Sequence, residues 1–137
     1  MSAALSDDLA TCLEIRRIVF IEEQNVPEDL ERDAYDQTAA HFLAYLDGAA
    51  VGTARVVRKG NDAKIGRVAV LKPARGTRQG QALIGACTDW ARSAGCTRAI
   101  LGAQVEALGF YEKLGFTAYG DVFDDAGIDH RMMELHL

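Results

Sequence analysis

The spacing of hydrophobic and polar residues divides the first half of the chain into one helix and several strands. Residues 9–20 have the three-to-four spacing of an amphipathic helix, which begins after Ser6. Residues 25–36 are acidic and contain Pro27, which predicts a loop that can include one helical turn. The segments with a strand-like pattern are residues 2–5, 41–46 and 50–57. The Asp-Gly pair between the last two predicts a hairpin.

A strand and a long helix follow in the middle of the chain. Residues 64–71 are apolar and end next to Pro73, as expected for a strand that a turn closes. Beyond a short loop, Leu83 and Cys87 begin a helical stripe that continues to Ala94. The chain therefore passes from a strand through a glycine-containing loop directly into a helix.

The last third of the chain repeats the strand and helix pattern on a smaller scale. Residues 98–103 predict a strand and residues 106–113 a short helix. Residues 116–119 and 131–135 predict two final strands, with a turn-rich connection over residues 124–129.

This order of elements predicts an α/β (α+β) fold with a mixed, mostly antiparallel sheet of six to seven strands and helices on both faces. The strands before and after the long helix are expected to run parallel, joined by a right-handed crossover. A chain of 137 residues has the length of one domain with its own core, and we expect residues 1–137 to form that domain.

Composition narrows the class of protein. Apolar residues make up 49% of the chain, as in ordinary globular proteins, and the net charge of −5 argues against a broad nucleic-acid-binding surface. The sequence has no apolar stretch near the ~20 residues that cross a membrane, and no pattern of a secretory signal. The three cysteines have no paired spacing and predict reduced thiols in a cytoplasmic protein. The histidines do not have metal-ligand spacing.

The loop before the long helix is the main candidate for a binding site. It contains Gly76 and Gly80, and it brings free backbone N–H groups and the positive end of a helix dipole to one place, which suits a phosphate. Arg75 and Arg78 add cationic groups that match phosphate oxygens. The motifs of a nucleotide P-loop and of a dinucleotide fingerprint are both absent. From spacing alone, an ordinary turn of an α/β protein explains the glycines equally well.

Four short motifs resemble those of the GNAT superfamily of N-acetyltransferases. VAV-x-x-P-x-RG-x-x-x-G over residues 68–80 resembles its acetyl-CoA signature. LGAQ-x-x-A-x-x-FY-x-x-LGF over residues 101–116 resembles its fifth strand and the helix that follows. VF-x-x-EQNVP over residues 19–27 and GI-x-H over residues 127–130 are similar to the narrower ElaA-like and YjcF-like branch. The motifs occur in the expected order and cover most of the chain.

The resemblance implies how the co-substrate acetyl-CoA would bind. In a GNAT-type sheet the two central parallel strands splay apart, the pantetheine arm fills the gap, and the pyrophosphate lies on the loop. Many members have a glycine where this chain has Arg78, whose N–H remains available provided that its backbone angle is an ordinary helical one. The coenzyme-binding residues that the resemblance implies are Val68, Ala69, Val70, Arg75, Gly76, Thr77, Arg78, Gln79, Gly80, Gln104 and Phe110.

Two side chains are candidates for catalysis. In the motif, Tyr111 would protonate or hydrogen-bond the leaving thiolate, whereas its helical spacing alone fits an aromatic residue packed in the core. Glu23 would act as the general base or attract the amine, or it belongs to a solvated acidic helix end. His41 and His130 are isolated histidines, a pattern more typical of a structural role.

These features predict an N-acetyltransferase that moves the acetyl group of acetyl-CoA to a primary amine by direct attack. A non-catalytic acyl-CoA-binding or sensor module would contain the same coenzyme-binding motifs and is the alternative. The acceptor is expected to be a small-molecule or peptide amine, and the acids of residues 22–36 and 121–129 favour a cationic one. We expect no nucleic-acid or membrane partner, and the resemblance is compatible with a homodimer, because many members form one.

Overall fold

In the computed structural model, which describes residues 2–137, seven strands form one sheet. The strands are β1 (Ser2–Ser6), β2 (Ala40–Leu46), β3 (Ala49–Lys59), β4 (Asp62–Val70), β5 (Arg98–Gln104), β6 (Thr117–Asp125) and β7 (Ile128–His136). Their order across the sheet is β1-β2-β3-β4-β5-β7-β6, and only β4 and β5 are parallel neighbours. The predicted mixed, mostly antiparallel sheet is confirmed.

The helices of residues 2–137 lie between these strands. They are α1 (Leu9–Arg16), α2 (Glu28–Glu31), α3 (Gln79–Ser93) and α4 (Leu108–Lys113). The helix predicted over residues 9–20 is present, but it is an α-helix only to Arg16 and continues in wider π-helical turns over Arg17–Glu23. The predicted loop over residues 25–36 contains α2, and its last residues form most of a 3₁₀ turn at Ala34–Gln37. Within the described chain, no helix is long and apolar enough to cross a membrane.

The final hairpin is longer and tighter than predicted. The turn-rich connection expected over residues 124–129 is wrong, because β6 extends through Asp125 and β7 starts at Ile128. The turn itself is Ala126 and Gly127, with φ angles of 54° and 82°. Positive φ at both positions matches the strand twist in a two-residue hairpin turn. As a result, His130 lies in the sheet and not in a loop.

Different helices cover the two faces of the sheet. On one face, α3 buries Leu83 and Cys87 in the large core, and we call this the α3 face. On the other, Cys12 and Ile15 of α1 form a smaller core against the sheet, and we call this the α1 face. Because α1 packs mainly on β2, β3 and β4, a groove remains on the α1 face over β5, β7 and β6.

The two central strands separate soon after they pair. Parallel pairing joins residues 62–64 of β4 to residues 98–100 of β5 and then ends. Both strands continue, β4 to Val70 beside β3 and β5 to Gln104 beside β7. The predicted splayed parallel strands are therefore confirmed.

A bulge in β4 contributes to this separation. Between its neighbouring pairs, one residue of β3 faces two of β4, and Arg67 has a φ of 52°. A bulge increases the local twist and shifts the alternation of side chains by one residue. Ile65 accordingly belongs to the core of the α3 face and Ala69 to that of the α1 face, although they are four residues apart. The bulge thus turns the end of β4 away from β5.

Candidate active site

The gap between β4 and β5 opens onto the groove and forms a cavity of about 490 Å³. One wall is the end of β4, at residues 68–70, and the other contains Gln104 of β5 and His130 of β7. Tyr111 of α4 lines the same cavity. Its volume lies in the range of small-molecule sites.

The loop from β4 to α3 lies at one end of the gap. It makes a 3₁₀ turn at Lys72–Ala74 and reverses at Gly76, whose φ of 82° suits glycine. The hydroxyl of Thr77 donates to the carbonyl of Ala74 and closes the turn. Ala82 donates the first hydrogen bond of α3, so the N–H groups of residues 79–81 have no acceptor within the helix. The predicted combination of free N–H groups and a helix dipole is present.

Arg78 does not have the ordinary helical backbone angle that the sequence interpretation required. Its φ of 66° and ψ of 20° are left-handed, so that expectation is wrong. The loop needs this conformation to turn into α3, and glycine would adopt it freely. For a residue with a side chain it costs roughly 1–2 kcal/mol. The Arg78 side chain remains exposed at the edge of the loop.

The first turn of α3 contains an unsatisfied polar group. Gln79 is 1% exposed, and in residues 2–137 neither polar atom of its side chain has a hydrogen-bond partner. A buried amide without partners costs about 1–3 kcal/mol, which a polar ligand could recover. Beside it, a Cβ on Gly80 would lie 3.2 Å from the ring of Phe110. The lack of a side chain at Gly80 therefore lets the ring of Phe110 lie against the first turn of α3, and the free N–H groups and the unsatisfied amide there fit a phosphate-bearing ligand.

Arg75 connects the end of β4 to the π-helical turns. Its Nε donates to the carbonyl oxygen of Val70 at 2.9 Å, and its Nη2 donates to Oε2 of Glu23 at 2.7 Å. One carboxylate oxygen of Glu23 is thus engaged by the guanidinium of Arg75. The predicted roles of both residues stay predictions.

Gln104 crosses the mouth of the gap. Its side-chain nitrogen donates to the side-chain oxygen of Gln24 at 3.0 Å, which links the end of β5 to the segment after α1. On the opposite wall, Ala69 is buried, whereas Val68 and Val70 are half-buried beside the gap. The side chains of Gln104 and Gln24 therefore connect the two sides of the cavity.

Tyr111 combines the two interpretations that the sequence left open. Its ring packs edge-on against Phe110 and Phe116, with centroids 4.9 Å and 6.0 Å away, and the residue is 9% exposed. It also lines the cavity. Burial, and to a lesser extent Cys87, raises the pKa of Tyr111 to about 12. The hydroxyl therefore remains a hydrogen-bond donor throughout the physiological range.

His130 lines the cavity, a position that the sequence analysis did not predict for this isolated histidine. It pairs with Gln104 across β7 and β5, and its ring stacks on Phe123 with a centroid distance of 5.8 Å. Its Nδ1 lies 2.7 Å from the carbonyl oxygen of Ile128. A carbonyl can only accept, so Nδ1 must bear the proton, and Nε2 of the neutral ring is free to accept another. The GI-x-H motif was the signal that the sequence offered. The strand register that pairs His130 with Gln104 could not be inferred from that motif.

A buried ion cluster lies beside the cavity. Arg16 is 1% exposed and donates to the carboxylates of Glu31 at 2.6 Å and Asp36 at 2.7 Å. Burial alone would raise the pKa of Asp36, but hydrogen bonds from Arg16 and Arg55 lower it to about 2. The cluster therefore holds Asp36 as an anion and joins α1 to α2 and the following 3₁₀ turn.

The same cluster changes the interpretation of the acidic segment over residues 22–36. Arg55 donates to Asp33 at 2.7 Å, and Arg67 donates to the carbonyl oxygen of Glu31 at 2.9 Å. The three acids of the cluster are matched by three arginines, which are Arg16, Arg55 and Arg67. These acids are therefore not a free negative surface for a cationic amine, as the sequence had suggested.

Comparisons with known proteins agree with this geometry. Residues 8–137 match the family model described as the acetyltransferase (GNAT) domain. The chain is 38% identical to the uncharacterized protein YyaT of Bacillus subtilis, over 92% of this chain and 87% of that one. It is 34% identical to the uncharacterized N-acetyltransferase YjcF of the same organism, over 93% and 91% of the two chains. The crystal structure of Escherichia coli ElaA matches with a TM-score of 0.81 and 29% identity, over 92% and 88% of the chains.

The chain therefore belongs to the acetyltransferase (GNAT) domain family and is an acyltransferase by class. Its similarity to YjcF and ElaA confirms the predicted branch of the superfamily. The sheet with splayed central strands is the fold that this family shares.

Proposed function

We propose that this protein transfers the acetyl group of acetyl-CoA to the nitrogen of a primary amine by direct attack. The observation that carries the proposal is the separation of β4 from β5 beyond Lys64. The N-terminus of α3 follows the end of β4 beside this gap, and Tyr111 and His130 line the cavity. One ligand can therefore extend from a phosphate-binding loop to two groups that exchange protons.

The residues of the gap would hold acetyl-CoA along its length. The N–H groups of residues 79–81, with Arg78 nearby, suit the pyrophosphate, and the unsatisfied amide of Gln79 offers a further polar contact. Beyond Lys64, the edge of β4 facing the gap has no strand partner in the described chain. Its backbone groups at residues 68–70 can hydrogen-bond to the amides of the pantetheine arm, as an added strand would.

His130 is the proposed general base. An amine must lose its proton to attack, and Nε2 of His130 is the acceptor that the anchored Nδ1 leaves free. The neutral amine nitrogen then bonds to the thioester carbonyl carbon. As the carbon–sulfur bond breaks, the nitrogen releases its second proton and the departing thiolate gains one, while the proton held by His130 returns to solvent. A backbone N–H near Val70 would stabilise the oxyanion between these two steps.

Tyr111 is proposed to assist the leaving group. With a pKa of about 12, its phenol is a weaker acid than a thiol, whose pKa is near 8.5. Tyr111 therefore stabilises the developing thiolate by a hydrogen bond, and need not complete the proton transfer. Because the hydroxyl stays protonated, this contribution should be constant up to high pH.

The test is release of free CoA thiol from acetyl-CoA in the presence of a broad panel of amines. We expect release that depends on the amine and yields the acetylated product. Tyr111→Phe should lower kcat by roughly 10- to 1,000-fold while the affinity for acetyl-CoA changes little. Tyr45→Phe, at a partly exposed tyrosine of β2, is the matched control. Tight acetyl-CoA binding without turnover of any amine would favour the non-catalytic binding module.

A further inference from the structure

Two lysines of the groove have no carboxylate partner. Lys59 and Lys64 lie at the β3–β4 end of the cavity, and in residues 2–137 neither forms an ion pair. Two nearby acids are engaged elsewhere, since Asp33 is bound by Arg55 and Asp62 by Arg98, and Asp125 across the groove forms no ion pair with either lysine. Within residues 2–137, neither ammonium group is therefore neutralised by a direct carboxylate contact.

Both lysines face the groove. Lys64 pairs with Val57 on β3 and with Ile100 on β5, and the alternation of β4 places it on the α1 face. Lys59 also lines the cavity, and its ammonium lies 5.2 Å from the centre of the Tyr35 ring. Tyr35 therefore holds the Lys59 ammonium at the edge of the groove by a cation–π contact.

Charged groups of both signs surround Lys64. Partial burial and the nearby Lys59, Arg55 and Arg67 lower its pKa, and Asp125 opposes this. Arg55 and Arg67 are already paired with acids of the ion cluster, whereas Lys59 is not. Asp125 is on β6, which is separated from β4 by β5 and β7. A negative group on a ligand would thus find the unbalanced charge on the β4 wall.

We propose that the groove recognises an acceptor that has, besides its amine, an anionic group bound by Lys64 and Lys59. This rests on the proposed acetyl transfer and specifies the class of its acceptor. From Lys64 to Val68, beside the expected point of transfer, β4 spans four residues, or about 13 Å. An amine separated by that distance from a carboxylate or a phosphate, such as a short peptide with a free C-terminus, meets the requirement.

The charge on this wall also suits the reaction. A cationic wall disfavours the protonated amine relative to the neutral one, which is the form that attacks. At the same time it attracts the negative end of the acceptor and so fixes which end enters the gap. The anionic group and the amine are thus sorted to opposite ends of the groove.

The experiment compares tetraglycine with tetraglycine amide as acceptors, since the two differ only in the C-terminal charge. In the wild-type protein we expect kcat/KM for the acid to exceed that for the amide by about tenfold, and the ratio to fall in high salt. Lys64→Gln should reduce the ratio about fivefold and Lys59→Gln by less. Lys113→Gln, in α4, should leave it unchanged. The same comparison between 6-aminohexyl phosphate and 6-aminohexanol shows whether a phosphate can take the place of the carboxylate on the acceptor.

A second measurement separates this proposal from the acetyl transfer itself. With CoA present, NMR titration should show tighter binding of an anionic probe than of its neutral counterpart, and Lys64→Gln should reduce the difference by a similar factor of about five. Equal binding or preference for the neutral probes in both pairs would overturn the anionic class of acceptor, whether or not turnover occurs. Binding with this preference but no CoA release would overturn only the catalytic proposal.

Discussion

The two ends of the candidate active site differ in the kind of group that forms them, which is backbone at one end and side chains at the other. The coenzyme end consists of backbone, because its features are the angle at Gly76, the free N–H groups of residues 79–81 and the bare Cα of Gly80. The acceptor groove is made of side chains from distant segments, such as Lys64 of β4 and His130 of β7. The first can be recognised in a few consecutive residues, and the second only in the folded chain.

The difference has a consequence for charge. At the coenzyme end, the free N–H groups and the helix dipole follow from adjacent residues, although Arg75 is paired with Glu23 from a distant segment. In the groove, the sum of charges over residues 22–36 is misleading, since buried arginines neutralise Glu31, Asp33 and Asp36. The groove also contains Lys59 and Lys64, which form no ion pair within residues 2–137. The negative charge of residues 22–36 gives no indication of these two cations. If this comparison is right, perturbing each end should affect different measurements.

The largest effect is expected from the buried ion cluster that supports the groove. Arg16→Met leaves Glu31 and Asp36 without their main partner and should lower the free energy of unfolding by roughly 3–5 kcal/mol, as measured by urea denaturation. Arg17→Met removes an exposed neighbour and should lower it by less than about 1 kcal/mol. Equal losses would mean that burial does not distinguish these two arginines.

His130→Asn tests the acceptor side by catalysis. Asparagine can still donate to the carbonyl of Ile128 but has no counterpart to Nε2. We expect kcat to fall about 100-fold near neutral pH and the loss to shrink at high pH, where the amine is already neutral. His136→Asn, at a histidine whose side chain is 82% exposed, is the control. A defect in His130→Asn that is independent of pH would contradict the role as base.

Gly80→Leu tests the coenzyme end. Its Cβ would crowd the ring of Phe110 and fill the space beneath it, so acetyl-CoA affinity should fall at least tenfold, about 1.4 kcal/mol, in calorimetry. Gly85→Leu lies in the same helix at a position with nothing within 4 Å of the new Cβ, and should bind normally. Unchanged affinity in Gly80→Leu would remove this loop from the coenzyme site.

Glu23→Gln is expected to have the smallest effect and separates the two candidate bases. Because Glu23 is engaged by Arg75, we expect kcat to change less than about threefold. Release of Arg75 toward the loop should tighten acetyl-CoA binding by about twofold, which isothermal titration can resolve. A loss near 100-fold that shrinks at high pH would instead make Glu23 the base and leave His130 as a stacking partner of Phe123.

The sequence by itself determined the order of the elements, the position of the glycine-containing loop before α3 and the resemblance to the family. These depend on local patterns, such as the glycines of the loop and the apolar stripe of α3, and such patterns act over a few residues. The same patterns located Tyr111 but could not decide whether it faces the core or the cavity. The structure shows that its ring packs in the core and that the residue lines the cavity.

Only the tertiary structure decided the backbone conformation of the loop before α3 and the arrangement of side chains in the groove. The bulge at Arg67 and the left-handed angle at Arg78 are non-glycine positions with positive φ, which local propensity does not predict. The pairing of Arg16 with Asp36 and the register of His130 with Gln104 join residues 20 and 26 positions apart. The physical reason is that such contacts depend on how the strands and helices pack together, and packing is a property of the whole chain.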